Sequence, residues 1–185
     1  MIDRNNYNLC ISKNFLCVPS VLQTILLYHN ISFNENEIKN YFTINIPENY
    51  ENLKGIETNN PDDYGIKLLN STLNDFFKYF NFPLHEEYMS IFVYEDWSFN
   101  DAIEDLLNTN NHIVCGFSYG SLYNEPNNIS IGHVSIITKK NGAKIQLLDP
   151  GPKYPGLKYV DSYDLYVAIK TKKDGLWLIS EVSNL

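Results

Sequence analysis

GHVSIITKKNGAKIQLLDP, residues 132–150, decides the fold class of this chain. Two apolar runs flank Asn141-Gly142, the strongest short signal for a hairpin turn. Strands are therefore expected over Gly132–Lys140 and Ala143–Asp149, adjacent and antiparallel, with Lys140 facing about Ala143. Pairing outwards from the turn brings the open ends, near His133 and Asp149, into one region of a sheet. HIVCGFS, residues 112–118, reads as a further buried strand, and Leu176 to Ser180 as the last one. A short helix is expected around Tyr163 to Lys170, and the Tyr-rich stretch from Tyr119 to Tyr123 as a loop beside a cleft.

Upstream of residue 111 the hydrophobic period is helical. Val18, Val21, Leu22, Ile25 and Leu26 recur at helical spacing within VPSVLQTILLYH. Pro19 is tolerated only in a first turn, which sets the helix start at about Cys17 or Val18, with Asn30 as its stop. A second helix follows from about Ser32, capped by Ser32 with Glu35 or Asn34 with Glu37. Residues 43 to 66 carry Pro47, Gly55, Pro61 and Gly65 and are expected to be irregular. A third helix is expected from about Lys67 to Phe80, and a fourth opened by Ser98 and Asp101 with Ile103, Leu106 and Leu107 buried. Helices first and antiparallel strands second is the order of an α+β protein. The 185 residues suit one domain, a helical half over about 1–110 and a sheet half over about 111–185.

Composition narrows the classes of partner. A net charge of −8 leaves no basic stripe for phosphates, so nucleic acid is not an expected partner. No apolar run reaches the roughly 18 to 20 residues needed to span a bilayer. MIDRNNYNLC lacks the charged-then-apolar pattern of a signal peptide. Cys10, Cys17 and Cys115 are too few and odd in number for a disulfide framework, and read as reduced thiols of a cytoplasmic protein. Without Cys-x-x-Cys or His-x-x-x-His spacing, neither metal nor cofactor is expected.

The chemistry-bearing residues fall at element ends. A cysteine at a helix start meets unpaired backbone N–H groups and the positive end of the dipole, which favour the reactive thiolate. Cys17 has that position. His133 opens a strand, where its ring can be held rigidly toward a cleft as a general base requires. Asp149 ends the partner strand, where a carboxylate can accept from one imidazole nitrogen and fix the tautomer. Alone, each residue has a plainer reading: a packed thiol, a half-buried histidine, a turn-forming Asp before Pro150. Of the others, Cys115 reads as core, Cys10 as an N-terminal thiol, His29 as a cap for the last carbonyls of its helix, and Glu86, Glu87, Glu95 and Asp96 as solvated loop charges.

The run CVPSVLQTILLYHNI resembles the Cys-Gly-Pro-Ala-x-Leu helix of the papain-like peptidases that cut double-glycine leaders from bacteriocin precursors, and of their stand-alone relatives. GHVSII and LLDPGP resemble the Gly-His and Asp-Pro segments of that group, in the same order. The resemblance implies a papain-like fold acting on a peptide or protein substrate, with Cys17 as nucleophile, His133 as base and acid, and Asp149 as the orienting residue. The chain departs from the pattern twice: Val18 stands where the family has Gly, and Ile11 where it has an oxyanion-donating Gln. The expected replacements for that donor are Asn14 or Ser12, beside the Cys17 N–H. A non-catalytic binding module, and an acyltransferase or protein deamidase, are the other functions the same residues allow.

Overall fold

A computed structural model describes residues 2–44, 46, 73–126 and 131–182. The segment that opens on Cys17 forms helix α1, Cys17–Tyr28, with Pro19 in its first turn. It stops where expected: Asn30 takes a left-handed φ of 59°, and the Ile31 N–H closes back on the Leu26 carbonyl. Helix α2 spans Glu35–Tyr41, and of the alternative caps Asn34 is used, its side chain accepting from the Asn36 N–H. Helix α3 is Leu73–Tyr79. The start of that helix, expected from Lys67, and most of the irregular stretch expected over 43–66 lie outside the described residues. Helix α4 spans Asp96–Leu107, two residues longer at its start than expected. Ser98 is inside it, and its hydroxyl accepts from the Glu95 N–H. Glu95 and Asp96 therefore open a helix and are not loop residues.

Six antiparallel strands form one sheet in the order β1-β6-β2-β3-β4-β5. They are β1 Leu84–Ser90, β2 His112–Ser118, β3 Gly132–Asn141, β4 Lys144–Asp149, β5 Gly156–Asp161 and β6 Gly175–Glu181. The hairpin is present, but its loop lies one residue further along than expected, which moves the partner of Lys140 from Ala143 to Ile145. Asn141 pairs with Lys144, so the loop is Gly142-Ala143. Only Gly142 in it has positive φ, 59°, the pattern of a type II′ turn with Gly first. The short helix α5, Tyr119–Leu122, replaces the loop expected there, and α6 covers Ser162–Lys172. Glu86 and Glu87 lie on β1, an edge strand paired with β6, and not in a loop.

Alternate residues of the inner strands feed two cores. Val114, Val134, Ile136, Leu148, Trp177 and Ile179 pack with α1, α2 and α3. Ile113, Cys115, Phe117, Ile137, Leu147 and Leu178 pack with α4 and α6. The inner strands are thus buried on both faces, which is why they read as near-continuous apolar runs. Each such side chain contributes roughly 1.5–3 kcal/mol through burial. The architecture is mixed helix and antiparallel sheet, as the order of patterns implied. With α1 packed on β3, the start of the helix and the start of the strand come together at one end of the sheet.

Candidate active site

Cys17 is the first residue of α1, half-buried, and its thiol is free. Leu16, which precedes it, offers no side-chain cap, and the first amides of a helix are those its own carbonyls cannot satisfy. Extending the register Ile136↔Leu148 places Asp149 opposite Ser135, and His133 diagonal to it on the same side of the sheet. The side chains meet accordingly: His133 Nε2 lies 3.0 Å from Asp149 Oδ1. The Cys17 side chain acts on the same imidazole and favours its charged form, and with Nε2 engaged, the nitrogen left for the sulfur is Nδ1. The three residues singled out from sequence are thus one connected set. Phe117 and Tyr119 wall the imidazole, with ring centroids at 5.4 and 5.5 Å and near-perpendicular planes.

Charge is held firmly here. Burial opposes a charged imidazole, but hydrogen bonds to Asp149 and Cys17 outweigh it and hold His133 up at about 9. Burial likewise opposes the Asp149 carboxylate, yet the His133 hydrogen bond and charge, with those of Tyr123 and Gly151, bring it down to about 2. Among the described residues the carboxylate accepts four donors. On Oδ1 are His133 Nε2 and the Gly151 N–H at 2.8 Å, and on Oδ2 the Tyr123 hydroxyl at 2.6 Å and Lys158 Nζ at 3.2 Å. Gly151 takes φ 85°, a left-handed conformation that glycine adopts without cost. Sequence reading missed both Tyr123 and Lys158; the only signal was the Tyr cluster at 119–123.

The expected oxyanion donors fare unequally. Ser12 is buried, its N–H bonds the Pro150 carbonyl at 2.8 Å, and its single hydroxyl hydrogen goes to the Lys13 carbonyl. That commits the hydroxyl to its own loop, so it does not serve as a free donor. Asn14 is half-buried in the turn that Leu16 N–H closes on Lys13 O, three residues before Cys17. Ile11 is 64% exposed and Val18 is buried. Phe15, two residues before the thiol, holds φ 68°, a strained value for an aromatic residue. Cys10 is half-buried and burial raises its thiol. Cys115 is core, its thiol bonded to Ser135 O and pushed up by complete burial.

A second polar set, running from buried His112 out to exposed Glu181, joins the opposite end of α1 to the sheet. His29 does not cap the helix carbonyls with its ring. Its Nδ1 lies 2.9 Å from Glu181 Oε1, and its Nε2 lies 2.7 Å from His112 Nε2. His112 Nδ1 in turn meets the Tyr7 hydroxyl at 2.6 Å. Because Glu181 can only accept, neutral rings order every proton one way: Tyr7 donates to His112, His112 to His29, His29 to Glu181. Burial first, then the neighbouring His29 and Arg4, hold His112 down at about 3, so it stays neutral. Among the described residues no three His, Cys, Asp or Glu side chains gather as a metal site. Nor, among them, is any helix long and apolar enough to cross a membrane.

No protein-family model matches this chain, and no curated protein matches it either.

Proposed function

We propose that the chain is a papain-like thiol hydrolase that cleaves a peptide or amide bond through Cys17, His133 and Asp149. The observation that carries this reading is the position of His133, whose charged form the Cys17 side chain favours and whose Nε2 meets a fully engaged buried carboxylate. In the reaction His133 carries the proton of the Cys17–His133 pair, and the sulfur attacks the substrate carbonyl. The tetrahedral oxyanion rests on the first amides of α1 and the positive end of its dipole. The imidazolium returns its proton to the leaving amine, and water then releases the acyl group from the thioester. Asp149 keeps Nε2–H pointed at itself throughout and so keeps Nδ1 aimed at sulfur.

The test is an activated ester such as p-nitrophenyl acetate, with the protein followed by intact and peptide mass spectrometry. The account expects a hydroxylamine-sensitive acyl group on Cys17, turnover of that group, and loss of both in His133→Ala. No acylation of Cys17 contradicts it. The exposed Ile11 and the committed Ser12 hydroxyl favour one second reading, a binding module that keeps the fold but supports the oxyanion poorly. That reading expects stable acylation without turnover.

A further inference from the structure

The four-donor cage around Asp149 holds more than is needed to orient an imidazole. His133 and Gly151 already fill Oδ1, and either would fix the carboxylate plane. Oδ2 is taken by two groups from elsewhere in the chain: Tyr123, at the end of α5, and Lys158, on edge strand β5. Both are held for this contact. Lys158 pairs opposite Leu147, hence diagonal to Asp149 on the same side of the sheet. Its ammonium lies 4.5 Å from the Tyr123 ring centroid and 5.1 Å from that of Tyr154. Its side chain is 21% exposed, against 57% for Lys144, which pairs with Asp161 nearby. The Tyr123 hydroxyl is buried enough that its own ionisation is pushed up, so it stays a donor.

We infer that Lys158 and Tyr123 are positioning residues that set how strongly Asp149 holds the His133 imidazolium, and so the upper pH limit of the Cys17–His133 pair. A carboxylate facing only His133 and a backbone amide gives its whole charge to the imidazolium. With an ammonium and a short charge-assisted hydrogen bond on its second oxygen, that charge is shared and the imidazolium releases its proton at lower pH. Other charged or titratable groups facing the pair are Cys17 on its thiol side, with Tyr119 beside the ring. The inference rests on the hydrolase reading for its consequence, but its physical content concerns His133 alone.

The experiment is a side-chain 1H–15N NMR titration of His133 in the wild-type protein and four variants. Lys158→Met and Tyr123→Phe are expected to raise the His133 midpoint by several tenths to about one pH unit. Lys158→Arg, which restores the charge, is expected to titrate as wild type. Lys144→Met removes an equal charge without touching Asp149 and is expected to leave His133 unmoved. An unmoved midpoint in Lys158→Met, or an equal movement in Lys144→Met, overturns the inference. Iodoacetamide labelling of Cys17 across the same pH range separates this from the functional reading. If the His133 midpoints move as expected but Cys17 labels no faster than Cys10, the positioning role stands and the hydrolase reading falls.

Discussion

His112 makes the stability of this protein depend on pH in a calculable way. Its folded value is about 3 against an ordinary 6.5, so the unfolded chain binds a proton that the native state refuses. The contribution is fully present above 6.5 and is lost as pH falls from there towards 3. Each pH unit inside that window costs about 1.4 kcal/mol, giving a loss of about 2 kcal/mol between pH 7 and 5 and about 3 kcal/mol by pH 4. His133 works the other way. Its value is raised to about 9, so its contribution is complete below 6.5 and lost as pH rises through 9; acidification from 7 to 5 returns about 1 kcal/mol. Asp149, held at about 2, adds a loss only below its ordinary 3.8. The two histidines together therefore predict a net loss of about 1 kcal/mol from pH 7 to 5. His112→Phe removes the titrating group from a fully buried site. At pH 7 it leaves the Tyr7 hydroxyl and His29 Nε2 unpartnered, costing about 1–3 kcal/mol. Its stability from pH 7 to 5 then rises by about 1 kcal/mol where the wild type falls. Urea unfolding of both proteins at pH 7, 6, 5 and 4 measures this, and parallel pH profiles would refute the reasoning.

Three further outcomes are expected. Asp149→Asn keeps an acceptor for His133 but removes the charge that holds the imidazolium, so the His133 midpoint falls below 7 by NMR and urea stability at pH 7 drops by about 2–3 kcal/mol. Phe76→Ala opens a hole among Phe33, Tyr41, Phe42, Phe77, Phe80 and Phe82, costing about 3–5 kcal/mol by urea unfolding with the Cys17 labelling rate of the folded protein unchanged. Gly175→Ala drives a Cβ into the Met89 carbonyl oxygen, a backbone atom with no rotamer to yield, so β1 separates from β6. Loss of amide exchange protection across Leu84–Ser90, with about 2–3 kcal/mol of stability, is the expected reading.

What the sequence made legible follows burial. Strands β2, β3, β4 and β6 are buried on both faces and stood out as apolar runs. Edge strands β1 and β5 bury one face at most, so LHEEYMS and GLKYVD carried no recognisable period. The hairpin register slipped because Asn-Gly was read as the loop, whereas the one glycine takes the one left-handed position and draws Ala143 into it. Cys17, His133 and Asp149 were legible because each sits at an element end fixed by local signals. Lys158 was not, because its role depends on β5 pairing with β4, a contact no local pattern announced. The His29–His112 pair was hidden for the same reason: 83 residues separate two rings that touch only through the fold.

The central claim is that His133 activates Cys17. Iodoacetamide labelling of the native protein near neutral pH, mapped by mass spectrometry, tests it most directly, with Cys10 as the internal reference. The account predicts that Cys17 labels well ahead of Cys10 and Cys115, and that His133→Ala brings it down to the rate of an ordinary thiol. Equal rates at Cys17 and Cys10, unchanged by His133→Ala, would contradict it.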